Sequence, residues 1–425
     1  MIEKKIVLIA TAFFCFLMPI STKLANIGII LFIISMVWYI IKLKLYKEVS
    51  VHKIRSLFLN TTAVIVLLLA IGLFYTIDFS RGIKYFENYS SYLILPLLLS
   101  FVNIDLLTKI KKVAFRFFVF GCVVSSLILL GNNFIKYYLY KGRFVIETDL
   151  LGYFFTYHEF AHLLKFHPTL LGLYLVFSII IINEFLDFIL HKFRYIFFLI
   201  LFLCLVFLNS RTPFLVFALY LLFCFCRLIK NNLNNRKGRL RILFAIVGLM
   251  ILSVGLFFTI RKTYIYERFS SHLVWELTEN KGTSYDGIYS NDSRISRWKA
   301  LFNKGLERPI LGFGSGSEDT IVLQAYAEND LVYAFKSKYG SHNQYLVFFL
   351  EYGILGLLLF LHFIFVQFKY SFRAKNTISF LLNGIVLIAC IFDSILYLNT
   401  YIIFVALFLN LFYFENKLKI KEYKV

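Results

Sequence analysis

The sequence has little proline, little acidic charge and few charged residues of any kind. It contains five prolines in 425 residues, and 24 Asp and Glu stand against 45 Lys and Arg. Only 16% of the residues are charged and 60% are hydrophobic, whereas a soluble globular domain is about half apolar. This shortage of charge excludes a soluble globule and predicts a polytopic membrane protein.

Paired cysteines in loops and internal repeats are also missing. All six cysteines lie inside apolar runs, so neither a disulfide framework nor a zinc site is predicted. No repeat, heptad or low-complexity tract is present, which excludes solenoids and coiled coils. Residues 6–20 lack a small-residue cleavage site after them and are predicted to be a retained first helix rather than a signal peptide.

Long apolar runs separated by basic clusters are what the sequence does contain. Each run has the length that a helix needs to cross a hydrocarbon core of roughly 30 Å, whereas a membrane barrel would alternate apolar and polar residues. The predicted fold class is an all-α polytopic membrane protein with about 12 transmembrane helices in one domain, residues 1–425. The predicted spans are 6–21, 25–41, 57–77, 86–102, 113–131, 168–185, 193–209, 213–229, 241–260, 344–366, 377–394 and 397–414.

The formal net charge of +21 resides mainly between the predicted spans. Basic residues in such positions indicate orientation and anionic lipid headgroups rather than nucleic acid. Placing most of them inside predicts that both termini are cytoplasmic and that two long segments, 132–167 and 261–341, lie outside. Loops of that length are usually functional or disordered.

Two arginines follow serines at predicted helix starts, in Ser210-Arg211-Thr212-Pro213 and in Ser293-Arg294. A guanidinium group offers a planar fork of donors that fits phosphate oxygens. Trp298 comes four residues after Arg294 and shares its helix face. We predict that Arg294 binds a substrate phosphate, with a solvated loop arginine as the alternative. For Arg211, substrate binding and contact with phospholipid headgroups both stay open.

His342 follows Ser341 at the start of the tenth predicted span. Ser341 is predicted to cap this helix, and the imidazole is predicted to accept a proton from a sugar hydroxyl rather than to be a plain interfacial histidine. Gly312, Gly314 and Gly316 lack the Gly-Lys-Ser/Thr ending of a nucleotide-binding loop. A tight turn is favoured there over a backbone anion site.

Residues 158–162 fit the HExxH pattern of zinc proteases. A third ligand would have to be His167 or Glu184, but Pro168 interrupts the helix that should follow, and Glu184 lies at the opposite end of the next span. No metal site is therefore predicted. His167, in His167-Pro168-Thr169, is predicted to line the same cavity as Arg211.

The motifs follow one another in a recognisable order. They are Ser210-Arg211-Thr212, Ser293-Arg294 with Trp298, Pro309 before Gly312-Phe313-Gly314, and His342-Asn343-Gln344-Tyr345-Leu346 before Glu351-Tyr352-Gly353-Ile354-Leu355-Gly356. Over roughly residues 200–370 this order resembles the O-antigen ligase and polymerase family of bacterial membrane glycosyltransferases. Tyr75-Thr76 and His167-Pro168-Thr169 are similar to one branch of it, more loosely.

The resemblance implies a fold of the GT-C class with a large outward-facing helical loop at 261–341. It implies a glycan donor carried on undecaprenyl diphosphate, transferred with inversion to an acceptor hydroxyl and without a metal or cofactor. By position, Arg211 and Arg294 would hold the diphosphate and His342 would activate the acceptor. The other predicted substrate-binding residues are Ser293, Trp298, Gly314, Asn343 and His167.

The first functional hypothesis is ligation of O-antigen to the lipid A-core at the periplasmic face of the bacterial inner membrane. A chain polymerase or a protein O-oligosaccharyltransferase would share the same motifs. A transporter or flippase is disfavoured because few ionisable residues besides Glu351 and His362 lie within spans. The predicted partners are the lipid-linked glycan, the glycan acceptor and membrane lipids, and no nucleic acid.

Overall fold

The computed structural model describes residues 2–422 except 49–50, 144, 186–192, 233–237, 239, 241–247, 249–260 and 285–289. Regular structure in these residues is α-helical, with short 3-10 turns and one isolated β-bridge between Thr283 and Asn291. The all-α class predicted from the sequence is confirmed. The α-helices are α1 (Ile2–Leu17), α2 (Thr22–Lys42), α3 (Val51–Asn60), α4 (Ala63–Gly72), α5 (Phe79–Asn88), α6 (Ser91–Leu99), α7 (Ile104–Lys141), α8 (Tyr157–Ala161), α9 (Pro168–Glu184), α10 (Arg194–Leu208), α11 (Arg211–Asn232), α12 (Tyr264–Phe269), α13 (Ser271–Glu276), α14 (Arg294–Gly305), α15 (Glu318–Glu328), α16 (Val332–Lys336), α17 (Gln344–Arg373), α18 (Thr377–Phe392) and α19 (Asn399–Glu422).

Five of the described helices are long and apolar enough to cross a membrane, namely α2, α7, α11, α17 and α19. A sixth span is formed if Tyr153–Leu164 and α9, which meet at a bend of 84°, are counted together. The chain is therefore a polytopic membrane protein, while the number of 12 spans stays a prediction. The predicted span 241–260 lies outside the described residues apart from Gly248.

Two predicted spans are each divided into shorter helices. The stretch 57–77 breaks between α3 and α4, and the stretch 86–102 breaks between α5 and α6. At the first break the Thr62 hydroxyl donates to the carbonyl of Tyr92 at 2.8 Å and accepts from Asn410 Nδ2 at 2.7 Å. Threonine hydroxyls that bond in this way compete with regular helix structure. This bonding explains why the predicted span 57–77 does not form a single helix.

By its contacts the described chain divides into two compact units. The first unit contains Met1–Val124, Ile181–Ile189 and Trp275–Val425, and the second contains Ser125–Ile180 and Leu190–Val274. Of the predicted 261–341 loop, residues 261–274 belong to the second unit and 275–341 to the first. The single domain predicted from the sequence, and the face on which the loop lies, stay predictions.

Helix α19 forms the centre of the first unit. Most of its apolar stretch is buried, as expected for a helix that is hydrophobic on all sides. Phe404 and Phe408 lie against Phe118 of α7 with ring centroids 5.5 and 5.4 Å apart. This core supports α17 and α18, the two helices whose ends carry the candidate site.

A smaller apolar cluster packs the short helices α14, α15 and α16 against the first turns of α17. Leu301, Ile321, Tyr326, Leu331 and Leu350 are buried in it. Residues 294–336 are therefore not a solvated loop, because they have a core of their own. That core fixes where α14 begins relative to the start of α17.

Candidate active site

Helix α14 begins at a fully buried serine. The Ser293 hydroxyl donates to the carbonyl of Thr278 at 2.6 Å and accepts from the amides of Asn280 and Ser296. Serine is a preferred N-cap because its oxygen satisfies an amide that the first turn leaves open. Ser293 is 0% exposed. As the N-cap, Ser293 holds the start of α14 and with it Arg294 in place, while the substrate contact predicted for Ser293 stays a prediction.

Arg294 is the first residue of α14 and is half-buried. Its backbone amide donates to Glu276 Oε2 at 2.7 Å, a carboxylate that suits the positive end of the helix dipole. Its guanidinium Nη1 donates to the carbonyl oxygen of Phe392 at 3.0 Å. The side chain thus reaches across to the end of α18.

His342 lies immediately before α17 in the left-handed region, with a φ of +47°. A histidine rarely adopts this conformation without support from its surroundings. Its Nδ1 is 3.1 Å from Asp393 Oδ1, where the carboxylate accepts and the imidazole N–H donates. That bond selects the tautomer in which Nε2 carries the lone pair, as a general base requires.

Asp393 directly follows Phe392, whose carbonyl oxygen accepts the hydrogen bond from the Arg294 guanidinium. Its Oδ1 also accepts from the amide of Ser394 at 3.0 Å, which fixes the carboxylate. The His342 side chain is 37% exposed and that of Asp393 is 12% exposed. Residues 392–394 therefore bring one guanidinium and one accessible imidazole to the same short segment.

Ser341 is held from two directions. Trp298 Nε1 donates to its carbonyl oxygen at 2.9 Å, and Glu318 Oε1 accepts from its hydroxyl at 2.7 Å and from its amide at 3.3 Å. Burial raises the pKa of Glu318 above its ordinary value, although the bonds from Ser341 act in the opposite direction. The predicted substrate contact of Trp298 stays a prediction, while its indole N–H orients the residue before His342.

Asn343, rather than Ser341, is the N-cap of α17. Its Oδ1 accepts from the amides of Tyr345 and Leu346 at 3.0 and 3.1 Å. The capping role predicted for Ser341 is therefore wrong, because the chain turns at His342 and the helix starts one residue after Asn343. The substrate contact predicted for Asn343 stays a prediction.

The glycine-rich segment is a packed turn. Gly312, Gly314 and Gly316 have φ of +70°, +90° and +76°, and a Cβ on Gly314 would lie 2.3 Å from the Cα of Thr76. The amide of Gly314 donates to the carbonyl of Glu351 at 2.8 Å, and that of Gly316 to the Glu351 carboxylate at 2.8 Å. Because these amides bond within the protein, Gly314 has a packing role, and the substrate contact predicted for it stays a prediction.

In the second unit, the turn before α11 packs on the start of α9. Ser210 Oγ and Thr169 Oγ1 lie 2.8 Å apart, and Asn209 has a φ of +43°. Arg211 is then the first residue of α11 and is half-buried. The motifs containing His167 and Arg211, predicted to share a cavity, therefore start two adjacent helices.

His167 also meets the first histidine of the HExxH pattern. The rings of His158 and His167 are 5.2 Å apart and nearly perpendicular. Nearby, the Arg268 guanidinium lies 3.5 Å from the centroid of the Tyr157 ring and is almost fully buried. Arg268 was not predicted from the sequence, and a buried cation on an aromatic face is a favourable contact.

Comparison with protein families places a known domain over most of these residues. Residues 196–361 match the family model described as O-antigen ligase. This segment is similar to the O-antigen ligase family. The resemblance predicted from the motifs is thereby confirmed over residues 196–361, which make up less than half of the 425-residue chain. No curated protein matches the chain by sequence.

The matched segment includes Arg211, Arg294 and His342, whereas Asp393 lies beyond it. Sequence reasoning missed Asp393, Glu318 and Glu276. One signal for Asp393 existed, because an acidic residue near the end of a predicted apolar span is unusual and needs a partner. Its partner is 51 residues away in sequence, so no local pattern could identify it.

Proposed function

We propose that the protein transfers a glycan from undecaprenyl diphosphate to an acceptor hydroxyl, and that the acceptor is the lipid A-core. The observation that carries the proposal is the pairing of His342 with Asp393 beside Arg294, within a chain whose residues 196–361 match O-antigen ligase. A general base, a charge that orients it and a fixed guanidinium are the groups that such a transfer needs.

In the proposed reaction, His342 Nε2 takes the proton from the acceptor hydroxyl as its oxygen attacks the anomeric carbon of the donor. The bond from that carbon to the phosphate oxygen breaks, and the lipid diphosphate leaves with both electrons. Attack from the side opposite the leaving group inverts the anomeric centre. Proton transfer to a positioned base of this kind is typically worth 10²- to 10⁴-fold in rate. Asp393 stabilises the imidazolium that forms.

The leaving diphosphate gains negative charge, which Arg294 is proposed to stabilise. A guanidinium held by surrounding protein contacts acts without reorganising during the reaction. Arg294 is positioned by Ser293 and Glu276, and its guanidinium also donates to the carbonyl of Phe392. The planar donor fork of a guanidinium fits phosphate oxygens. Arg211 is proposed as the second diphosphate ligand, with Trp298, Asn343 and His167 near the substrate.

The test is complementation of a deletion strain with His342→Ala or Arg294→Ala. We expect both variants to insert into the membrane at the wild-type level and to give lipid A-core without attached polysaccharide on a gel. His362→Ala is the matched control, because His362 is an exposed histidine on the same helix α17. Unchanged capping in the His342 variant would remove the proposal.

The same strain separates ligation from polymerisation. Loss of a ligase leaves polysaccharide of full length on its lipid carrier, whereas loss of a polymerase leaves single repeat units attached to the lipid A-core. Polysaccharide missing from a glycoprotein instead would identify a protein O-oligosaccharyltransferase. The family match at residues 196–361 supports this group of transfers as a whole, and the phenotype decides between its members.

A further inference from the structure

An open groove of about 760 Å³ lies between α5 and α15 in the first unit. The side chains that line it and matter here are Asp78, Arg81, Lys84, Asp319, Gln324 and Phe335. None of them belongs to the motifs that resemble the O-antigen ligase family. The proposed reaction therefore gives this groove no role.

The charges in the groove balance one another. Arg81 Nη1 and Asp319 Oδ2 form an ion pair of 3.2 Å, and Lys84 and Asp78 add one charge of each sign. A site for a diphosphate would be expected to have an excess of positive charge. Balanced charge instead suits a ligand that has no net charge and many polar groups.

The groove also offers hydrogen-bond donors and acceptors together with one aromatic face. Arg81 and Lys84 donate, Asp319 accepts and the Gln324 amide does both. Phe335 is 44% exposed and directly follows Ala334, which is buried in an apolar cluster. Sugar hydroxyls both donate and accept, and the C–H face of a pyranose ring can lie on an aromatic side chain.

The position of the groove connects it to the candidate site through α15. Glu318, the first residue of this helix, binds Ser341 next to His342, whereas the following residue, Asp319, lines the groove. An α-helix with its side chains is about 10–12 Å across. An oligosaccharide in the groove would therefore lie within a few sugar units of the imidazole.

The two helices that border the groove are packed closely together at their N-terminal ends. The Thr76 hydroxyl donates to the carbonyl of Ser315 at 2.7 Å, and a Cβ on Gly316 would lie 2.5 Å from the amide nitrogen of Gly82. Backbone packed this closely cannot shift without a clash. The start of α5 and the start of α15 are thus held at a constant separation, as a binding groove requires.

We propose that this groove binds the uncharged oligosaccharide part of a substrate and holds it while the chain end reaches His342. The inference rests on the proposed function, because that function supplies the two glycans that could occupy the groove. One is the polysaccharide of the lipid-linked donor, and the other is the oligosaccharide of the acceptor.

The test measures binding without turnover, on the full chain in lipid nanodiscs, by saturation-transfer NMR titration. The probes are polysaccharide fragments released by mild acid from the source strain, its deacylated core oligosaccharide, and inorganic diphosphate. Binding of either glycan is expected to weaken about tenfold in Lys84→Ala and in Phe335→Ala, which corresponds to about 1.4 kcal/mol. Lys336→Ala and Tyr333→Ala, on the same short helix as Phe335, are the matched controls and should bind as the wild type does.

His342→Ala should keep full glycan binding while losing transfer, so the two proposals are tested separately. Which glycan binds identifies the source of the occupant, and diphosphate should not compete with it. The inference is overturned if neither glycan binds to the wild type, if the groove variants bind as tightly as their controls, or if diphosphate displaces the glycan. Gln324→Ala, at an exposed position, replaces Phe335→Ala if that variant does not fold.

Discussion

Two neighbouring residues before α17 are each paired with a carboxylate, yet their surroundings differ. Ser341 is 1% exposed and is bound by Glu318, which is 6% exposed. His342 is 37% exposed in its side chain and is bound by Asp393. The buried pair fixes the path of the backbone, whereas the accessible pair presents a proton acceptor. Two adjacent residues therefore differ in role: Ser341 is fixed inside the fold, and His342 is the proposed proton acceptor.

The left-handed conformation of His342 depends on the contacts that hold its two neighbours, Ser341 and Asn343. A non-glycine residue at such a φ is strained by on the order of 1 kcal/mol or more, and neighbouring contacts must hold it. Trp298 and Glu318 hold Ser341 on one side, and the Asn343 cap holds the other. The imidazole then needs only one bond, to Asp393, to be oriented.

The largest effect should follow from Asp393→Asn, which breaks the accessible pair alone. Asparagine keeps the shape but loses the charge that stabilises an imidazolium, and its amide can favour the wrong tautomer of His342. We expect kcat to fall by about 10²- to 10³-fold with little change in KM or in the melting temperature. The rate of transfer by purified protein with extracted donor and acceptor provides the measurement.

Asp393→Glu serves as the companion to this variant, because it keeps the charge at a longer reach and should recover part of kcat. A parallel loss of thermal stability in Asp393→Asn would show that the pair is structural. In that case Asp393, like Glu318, would serve to stabilise the fold, and the two carboxylates would no longer differ in role.

The second largest effect should come from Glu318→Ala, which breaks the buried pair. The Ser341 amide and hydroxyl would lose an acceptor in a buried place, at a cost of about 1–3 kcal/mol in the free energy of unfolding. A fall in melting temperature by several degrees, with kcat of the folded fraction changed less than in Asp393→Asn, is the expected result. Glu279→Ala, which removes an exposed carboxylate paired with Lys299, is the control and should melt as the wild type does.

Much of this site could be predicted from the sequence, and the remainder shows where local patterns fail. Arg294 and His342 stand out because each follows a serine at a helix start, and the glycine run was correctly predicted to be a turn. Ser293 and Asn343, which were predicted to contact substrate, are helix caps, and their substrate contacts stay predictions. A cap and a ligand draw on the same polar residue types at the same helix position.

The residues that the sequence did not predict act over long separations. Asp393 lies 51 residues after His342 and Glu318 lies 23 residues before Ser341, so only the packed fold brings them together. The same reason explains the divided spans, because the polar bond between Thr62 and Asn410 joins helices 348 residues apart. The membrane class, in contrast, could be predicted from composition, because it depends on the whole chain and not on any single contact.

A smaller effect is expected from Trp298→Phe. Phenylalanine keeps the aromatic ring but removes the N–H that donates to Ser341, a loss of about 0.5–1.5 kcal/mol. The turn should remain folded, with a modest fall in melting temperature and a loss of kcat below tenfold. Trp38→Phe in α2, at an exposed tryptophan, gives the matched control. A loss of transfer as large as that of Asp393→Asn would instead indicate that the indole contacts substrate.

The smallest effect should appear in Glu318→Gln, which changes the charge of the buried pair and keeps its acceptor. Burial raises the pKa of Glu318, so the folded state favours the protonated carboxyl more than the unfolded state does. The stabilising contribution is complete below the ordinary pKa of 4.5 and is lost as the pH rises through the higher pKa of the folded protein. Glutamine cannot ionise, so its melting temperature should approach that of the wild type at acidic pH and exceed it increasingly at higher pH. Melting curves of both proteins across this range provide the measurement, and a difference that shrinks with rising pH would mean that Glu318 is stabilised as a carboxylate.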